Sequence, residues 1–364
     1  MSNKLSHSAS NVYKECGAKY KHHYIDRLRS TEIFSPLIWG TAIDKGVESL
    51  IKKDDYVQVF MQTWTEQNIL GKLTNLKDNT LIKFLDSDYD SSLLSKEDYD
   101  YIEEITGLEQ TELLEIMDLI FQKKESNGFD NLVEQDKRLL NTVVWHCMKN
   151  KGLMLLDCVK DEILPQITEI ISTQEKIELI NEEGDSIIGY VDLIAKIKGI
   201  EEPVILDFKT SGKRYKLDSV ETSTQLALYV YSLLEKYKTR KAGFIVLGKK
   251  LKDVTIEKTC KTCANNGLGR SHRLCDAIIE GKRCNGEWDI KTARKVDTQF
   301  LINDIPNQME RSVLEEFNEI NRLIKNGVFE KKLESCKKHY GKLTVTCPYF
   351  DKCFNNSDKG LVKV

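Results

Sequence analysis

The chain has 364 residues, 40% of them apolar and 30% charged, an ordinary balance for a globular protein with room for more than one core. Its net charge of −3 excludes a global field attracting a polyanion, so any nucleic-acid binding has to come from local basic patches. No apolar run approaches the length of a membrane span, and the opening MSNKLSHSASNVYKEC has no apolar core of a secretory signal, so a cytoplasmic protein is expected. In that compartment the ten cysteines are expected to bind metal rather than pair as disulfides.

Residues 7–30 read HSASNVYKECGAKYKHHYIDRLRS. A helix is expected to begin near Asn11, capped by Ser8 or Ser10, with Cys16 and Tyr20 one turn apart on it. Residues 38–53, IWGTAIDKGVESLIKK, read as a second helix, with Ile43, Val47 and Leu50 as its buried stripe and Asp44 and Glu48 elsewhere on it. Residues 54–170 read as a mostly helical insertion, acidic in its first half. Within it, Asp86 to Glu97 places acidic residues at positions 1, 3, 5 and 12 of a calcium loop, but Ser91 stands where the sharp turn needs glycine. Ser95 with Asp98 reads as a capping box, so a loop before a capped helix is expected there. Cys147 and Cys158 sit in apolar helical surroundings and read as core residues.

Residues 172–197 read as a hairpin: EKIELI and DSIIGYVDLIAKI flank the turn-like NEEG. A strand PVILDFK follows, then the basic loop KTSGKRYK, the helix 224–237 and the strand GFIVLG. On the strand, Asp207 and Lys209 are two apart and share a face, while Val204, Leu206 and Phe208 point the other way. On the helix, Gln225 and Tyr229 are four apart and share a face, and Leu226, Val230 and Leu233 form its buried stripe. Asp192 lies on the preceding strand. Two carboxylates, a lysine and a polar pair can therefore converge. Such a set suits metal-assisted phosphodiester hydrolysis: the carboxylates hold Mg²⁺ or Mn²⁺, and the lysine orients water or stabilises the transition state. Lys213, Arg214 and Lys216 in the basic loop are candidates for backbone phosphates; alone they would be a solvated loop.

Residues 260–284 carry Cys260 and Cys263 as a C-x2-C knuckle, followed by Cys275 and Cys284, a set suited to tetrahedral Zn²⁺. His272 is a spare ligand, and Arg270, Arg273, Lys282 and Arg283 make the module locally basic. It reads equally as a DNA contact or as a zinc staple. An amphipathic helix is expected over 307–335, with Val313, Phe317, Ile320, Leu323 and Ile324 on one side. The tail CKKHYGKLTVTCPYFDKC adds Cys336, Cys347 and Cys353.

GYVDLI, ILDFKTS and QLALY, in that order, resemble the PD-(D/E)XK nuclease superfamily in its RecB-like branch. The resemblance implies metal binding by Asp192 and Asp207, catalysis by Lys209, and contacts from Gln225 and Tyr229 to the site or the DNA. The branch carries G-x-x-x-H on its early helix, where this chain has Asp44. Asp44 is then either a third carboxylate ligand or a surface residue. Cys16 with the C-P-Y-x-x-x-C ending is similar to the iron–sulfur exonucleases of AddB type and their phage and CRISPR-associated relatives. That implies a [4Fe–4S] cluster on Cys16, Cys336, Cys347 and Cys353, with a second Zn²⁺ as the competing reading. Two departures stand out: Gly17 replaces the usual proline, and Thr344 stands where a cysteine is common.

The expected fold is α/β, a mixed sheet flanked by helices with a large helical insertion and a four-cysteine metal module. Its segments are 1–53 (N-terminal helices), 54–170 (insertion), 171–258 (catalytic core), 259–300 (zinc module) and 301–364 (C-terminal helix and cysteine segment). The expected function is a metal-dependent DNA exonuclease of recombination, replication or repair, acting on single strands or DNA ends with a possible helicase or annealing partner. The alternatives are a catalytically silent module binding DNA ends or a partner, and an endonuclease.

Overall fold

The computed structural model describes residues 4–64, 81–83, 89–127, 132–181, 183–271, 273–340 and 343–364. The main sheet is mixed. Strand β1 (Lys4–Ser6) runs parallel to β3 (Ser186–Ile197), with Leu5 opposite Ile187. On β3 also pair β2 (Ile167–Ile180) and β4 (Val204–Ser211), both antiparallel. The order β1-β3-β4 continues through β5 (Lys241–Cys260) to β8 (Trp288–Asp304). The short strands β6 (Ile278–Ile279) and β7 (Lys282–Arg283) form a separate hairpin. Strand β4 has five consecutive buried residues, Val204 to Phe208, so it is covered on both faces as a central strand is.

The longer helices among the described residues are α1 (His7–Glu15), α2 (Ser35–Lys52), α3 (Tyr56–Thr63), α4 (Lys96–Thr106), α5 (Gln110–Asn127), α6 (Glu134–Cys158), α7 (Thr224–Tyr237) and α8 (Asn307–Lys325). Helices α3 to α6 fall within residues 54–170, the stretch read from the sequence as an insertion. Its capping box is present: Ser95 Oγ accepts from Asp98 N at 3.2 Å and Asp98 Oδ2 accepts from Ser95 N at 2.9 Å. Asp86 and Asp88 of the calcium-loop reading, and His272, lie outside the described residues. Cys147 is fully buried, donates to Asp90 O at 3.3 Å, and has its thiol pKa pushed up to about 12 by burial. No described helix is long and apolar enough to cross a membrane.

The chain divides into two compact units. The first comprises Met1–Asp207, Asp218–Gly243 and Ile302–Val364; the second comprises Phe208–Leu217 and Phe244–Leu301.

Helix boundaries differ from expectation at both ends of α1 and at the end of α8. The first helix starts at His7, capped by Ser6 rather than Ser8 or Ser10, because β1 delivers the chain to that point. It stops at Glu15: Cys16 is extended (φ −165°), and Gly17–Tyr20 forms a separate turn, so Cys16 and Tyr20 do not share one continuous helix. Helix α8 ends at Lys325 instead of 335. Beyond it the backbone runs past α1, where Tyr13 Oη donates to Val328 O at 2.6 Å and Ala18 N donates to Glu330 O at 3.0 Å. Those bonds require an extended chain, whatever the local helical periodicity.

Candidate active site and cysteine clusters

The site is a row across three neighbouring strands. On β3 and β4 the register pairs Leu193 with Leu206 and Ile194 with Ile205. Continued by one residue, it sets Asp192 opposite Asp207. Cross-strand neighbours of this kind stand about 5 Å apart at Cβ, and like charges there repel unless a cation lies between them. Asp207 is 2% exposed and Asp192 half-buried. On the other side of β3, Thr173 pairs Leu193 and Glu175 pairs Val191, which sets Gln174 opposite Asp192. Gln174 Nε2 donates to Asp192 Oδ1 at 3.3 Å. Its φ of +49° is left-handed in the middle of a strand, a conformation that disfavours a residue with a Cβ.

Helix α7 covers the row. Ser223 caps it, accepting from Leu226 N at 3.1 Å, and Leu226, Val230 and Leu233 anchor its buried side. This leaves Gln225 and Tyr229 facing the strands. Gln225 Nε2 donates to Asp207 Oδ1 at 3.0 Å and to Tyr229 Oη at 2.8 Å. Tyr229 Oη in turn donates to Tyr190 O on β3 at 2.8 Å. Burial, then the negative charges of Asp207 and Asp192, push the Tyr229 pKa up, so it stays a neutral donor. The glycine of G-x-x-D has a packing reason: a Cβ on Gly189 would stand 3.1 Å from Tyr229 Cε1 and 3.2 Å from Ile177 Cγ1. The separate sequence signatures are thus one contact set.

Lys209 follows Asp207 on the same strand, two residues on and hence on the same face. Lys213, Arg214 and Lys216 are exposed. Arg214 Nη1 meets both Asp297 oxygens at 2.6 and 2.7 Å, and Lys252 reaches Asp297 at 2.7 Å. Lys252 and Arg214 together hold the Asp297 carboxyl below the usual carboxylate range. Asp44 is exposed on α2. Among the described residues it does not join Asp192 and Asp207 in a tight group of ligand atoms. Gln174 escaped the sequence reading; the only signal for it is its register opposite Asp192, which needs the bulges of β2 to be known.

Cys260, Cys263, Cys275 and Cys284 do come together, with ligand atoms all within 4.8 Å. The Cys260–Cys284 and Cys263–Cys275 sulfur separations are 3.6 and 3.7 Å. Four sulfurs at about 2.3 Å around one tetrahedral ion stand about 3.8 Å apart, so the set fits a single thiophilic ion. Burial pushes the Cys260 thiol up, but the N–H groups of Cys263 and Thr262 and the neighbouring thiols outweigh it, and its pKa falls to about 6. Thiolate, the metal-binding form, is thereby favoured.

Cys16, Cys336, Cys347 and Cys353 are also neighbours. Cys347 N donates to Cys336 O at 2.6 Å, and Cys16 Sγ approaches Glu330 O at 3.7 Å. Burial raises the Cys353 thiol, and the charges of Cys16 and Cys336 raise it further; burial raises Cys347, with contributions from Cys336 and Cys353. The four sulfurs are not a tight single-ion group.

The family model of the PD-(D/E)XK nuclease superfamily matches residues 4–353. The chain belongs to the PD-(D/E)XK nuclease superfamily. Membership indicates a nuclease, with DNA as the substrate class and divalent metals as cofactors. No curated protein matches the chain. A solved structure described as "Crystal structure of SSO0001" is 14% identical over 57% of this chain and 86% of that one, at a TM-score of 0.23.

Proposed function

We propose that this PD-(D/E)XK protein is a metal-dependent exonuclease hydrolysing DNA in recombination, replication or repair. The observation that carries the reading is the row in which Asp192 faces Asp207 and Gln225 and Tyr229 are hydrogen-bonded into it. Two carboxylates in this position are an oxygen-only donor set, which suits Mg²⁺ or Mn²⁺. Such an ion, when bound, supplies Lewis acidity and lowers the pKa of a bound water.

The chain's own residues do the rest. Asp192 and Asp207 are the metal ligands, with Asp44 as a third carboxylate. Lys209 donates to the attacking water and to the charge that builds on the phosphate. Gln225 holds the Asp207 carboxylate from one side, while Tyr229 fixes Gln225 and ties α7 to β3. Lys213 and Lys216, with Arg214 released from Asp297, meet backbone phosphates. Cys260, Cys263, Cys275 and Cys284 take Zn²⁺, a structural ion. Cys16, Cys336, Cys347 and Cys353 take a [4Fe–4S] cluster, with Zn²⁺ as the second reading. DNA ends or single strands are the substrate, and a helicase or annealing protein is the partner class, in the cytoplasm.

The test is a cleavage time course on end-labelled linear and closed circular DNA, with Mg²⁺ or Mn²⁺, on protein prepared without air. Digestion from linear ends that falls about 10²- to 10³-fold in Lys209→Ala supports the exonuclease. Cutting of circles converts the reading to an endonuclease. Absence of metal-dependent cleavage by folded, metal-loaded protein, with candidate partners added, leaves a DNA-end or partner-binding module.

A further inference from the structure

The four-cysteine module carries a feature that coordination alone does not explain. Cys275 and Cys284 flank a hairpin whose base is closed by Cys284 N donating to Ala277 O and Cys275 N donating to Gly286 O, both at 2.8 Å. Its tip is as tight as a hairpin can be. Strands β6 and β7 are joined by Glu280 and Gly281 alone, with φ of +48° and +77°, the signs of a type I′ turn. Ile279 pairs Lys282 and Ile278 pairs Arg283. Partners directly opposite share a face, so each face of the blade carries one isoleucine and one cation.

Ile278 is 77% exposed and Ile279 45% exposed. Two adjacent β-branched apolar residues at the tip of a two-residue turn do nothing for the module's own core, which is built from the cysteines, Ala277 and Trp288. Lys282, Arg283 and nearby Arg273 are exposed, and none has an ion pair among the described residues; Glu280 at the turn is the one acid of the tip. Asp276 is neutralised by Arg270 at 2.5 Å, so Glu280 stands against Lys282, Arg283 and Arg273, a small positive excess in a chain that carries −3 as a whole. An apolar wedge with such cations beside it matches a polyanion whose stacked bases can be parted.

We propose that the β6–β7 hairpin is a DNA-contacting wedge: Ile278 and Ile279 enter a base step where a duplex opens, and Lys282 and Arg283 grip the flanking phosphates. The cysteine pair at its base keeps the blade rigid. This rests on the reading of DNA as the substrate and adds the form of DNA, a junction between paired and unpaired strands.

The experiment measures equilibrium binding of the full-length, zinc-loaded protein to fluorescent forked and blunt duplexes across a salt series, without added divalent ions. Zinc content and melting temperature of each variant are matched to wild type. The double variant Lys282→Ala with Arg283→Ala is expected to weaken binding to both duplexes and to flatten the slope of log affinity against log salt by about 1.4–1.8, two phosphate contacts' worth. The double variant Ile278→Ser with Ile279→Ser keeps the slope and loses about tenfold of the preference for the fork. Wild-type affinity, slope and fork preference in both variants overturn the wedge, as does a hairpin that is found to hold a protein partner instead. Cleavage with Mg²⁺ is followed in parallel. Unchanged binding with ongoing cleavage removes the wedge and leaves the nuclease; weakened binding by the variants with no cleavage by wild type removes the nuclease and leaves the wedge.

Discussion

Tyr229 shows how one side chain joins the motifs. It packs on Gly189, accepts from Gln225 and donates to Tyr190 O, so it holds α7 over the carboxylate row. Tyr229→Phe removes both hydrogen bonds and leaves the Tyr190 carbonyl unpaired. A loss of about 1–2 kcal/mol in chemical denaturation is expected, together with about a tenfold fall in cleavage rate as Gln225 loses its fixed partner. Gln174 separates stability from function more sharply. Its left-handed backbone is one that glycine adopts without strain. Gln174→Gly is therefore expected to gain about 1 kcal/mol in thermal melting while the Mg²⁺ concentration for half-maximal cleavage rises, because Asp192 loses its amide donor. A variant less stable than wild type would show that the amide matters more to the fold than to the site.

At the scale of elements, the insertion is held by more than its apolar stripes. Asp98, at the start of α4, is 2% exposed and receives His146 Nδ1 at 2.6 Å, Lys149 Nζ at 2.5 Å and Asn150 Nδ2 at 2.5 Å from α6. Burial pushes its carboxyl up, but the bonds from His146 and Lys149 outweigh burial and hold it well below the usual carboxylate range. Asp98→Ala strands a lysine and a histidine in a buried place and is expected to cost about 3 kcal/mol. The sign of the pH effect follows from the lowered value. The stabilisation is complete above the unfolded aspartate value of about 4 and is lost as pH falls toward the folded one. Acid titration of the melting temperature, wild type against Asp98→Ala, should therefore show the two curves converging at low pH. The capping box at Ser95 and Asp98 was legible in the sequence as a local pattern; that the same aspartate anchors a second helix was not, because its partners lie 48 to 52 residues away.

For the whole molecule, the two ends of the chain are tied to each other. Leu28–Ser30 pairs with Leu361–Lys363, His23 Nδ1 shares a 2.9 Å hydrogen bond with Tyr349 Oη, and Gly17 lies so close to the 329–330 backbone that a Cβ would meet Glu330 N at 2.9 Å. That approach accounts for glycine at this position: any Cβ would push the chain away. A cluster on Cys16, Cys336, Cys347 and Cys353 would lock the same closure. Stripping it is expected to cost on the order of 4 kcal/mol, as loss of a long-loop cross-link does. Hydrogen exchange should show residues 7–30 and 336–364 opening first. Uniform loss of protection across the sheet would instead mean that the core depends on the cluster.

The sequence by itself determined what local periodicity and motif spacing can carry. Helix α7 came out at its observed bounds, and the hairpin β2–β3 and the strand β4 in their order, because alternation and helical spacing are properties of neighbours along the chain. Strand β8 was invisible, since only Trp288, Val296 and Gln299 along its length are buried and no alternation marks it. Strand β1, three residues long, is held by its parallel partner and not by any pattern of its own. The four cysteines from 260 to 284 were already grouped by their spacing, whereas only the tertiary structure set Gln174 opposite Asp192 and bent the chain at Cys16. Each of these two depends on register or on a distant backbone, and free energies of that kind belong to pairs of segments that sequence neighbours do not see.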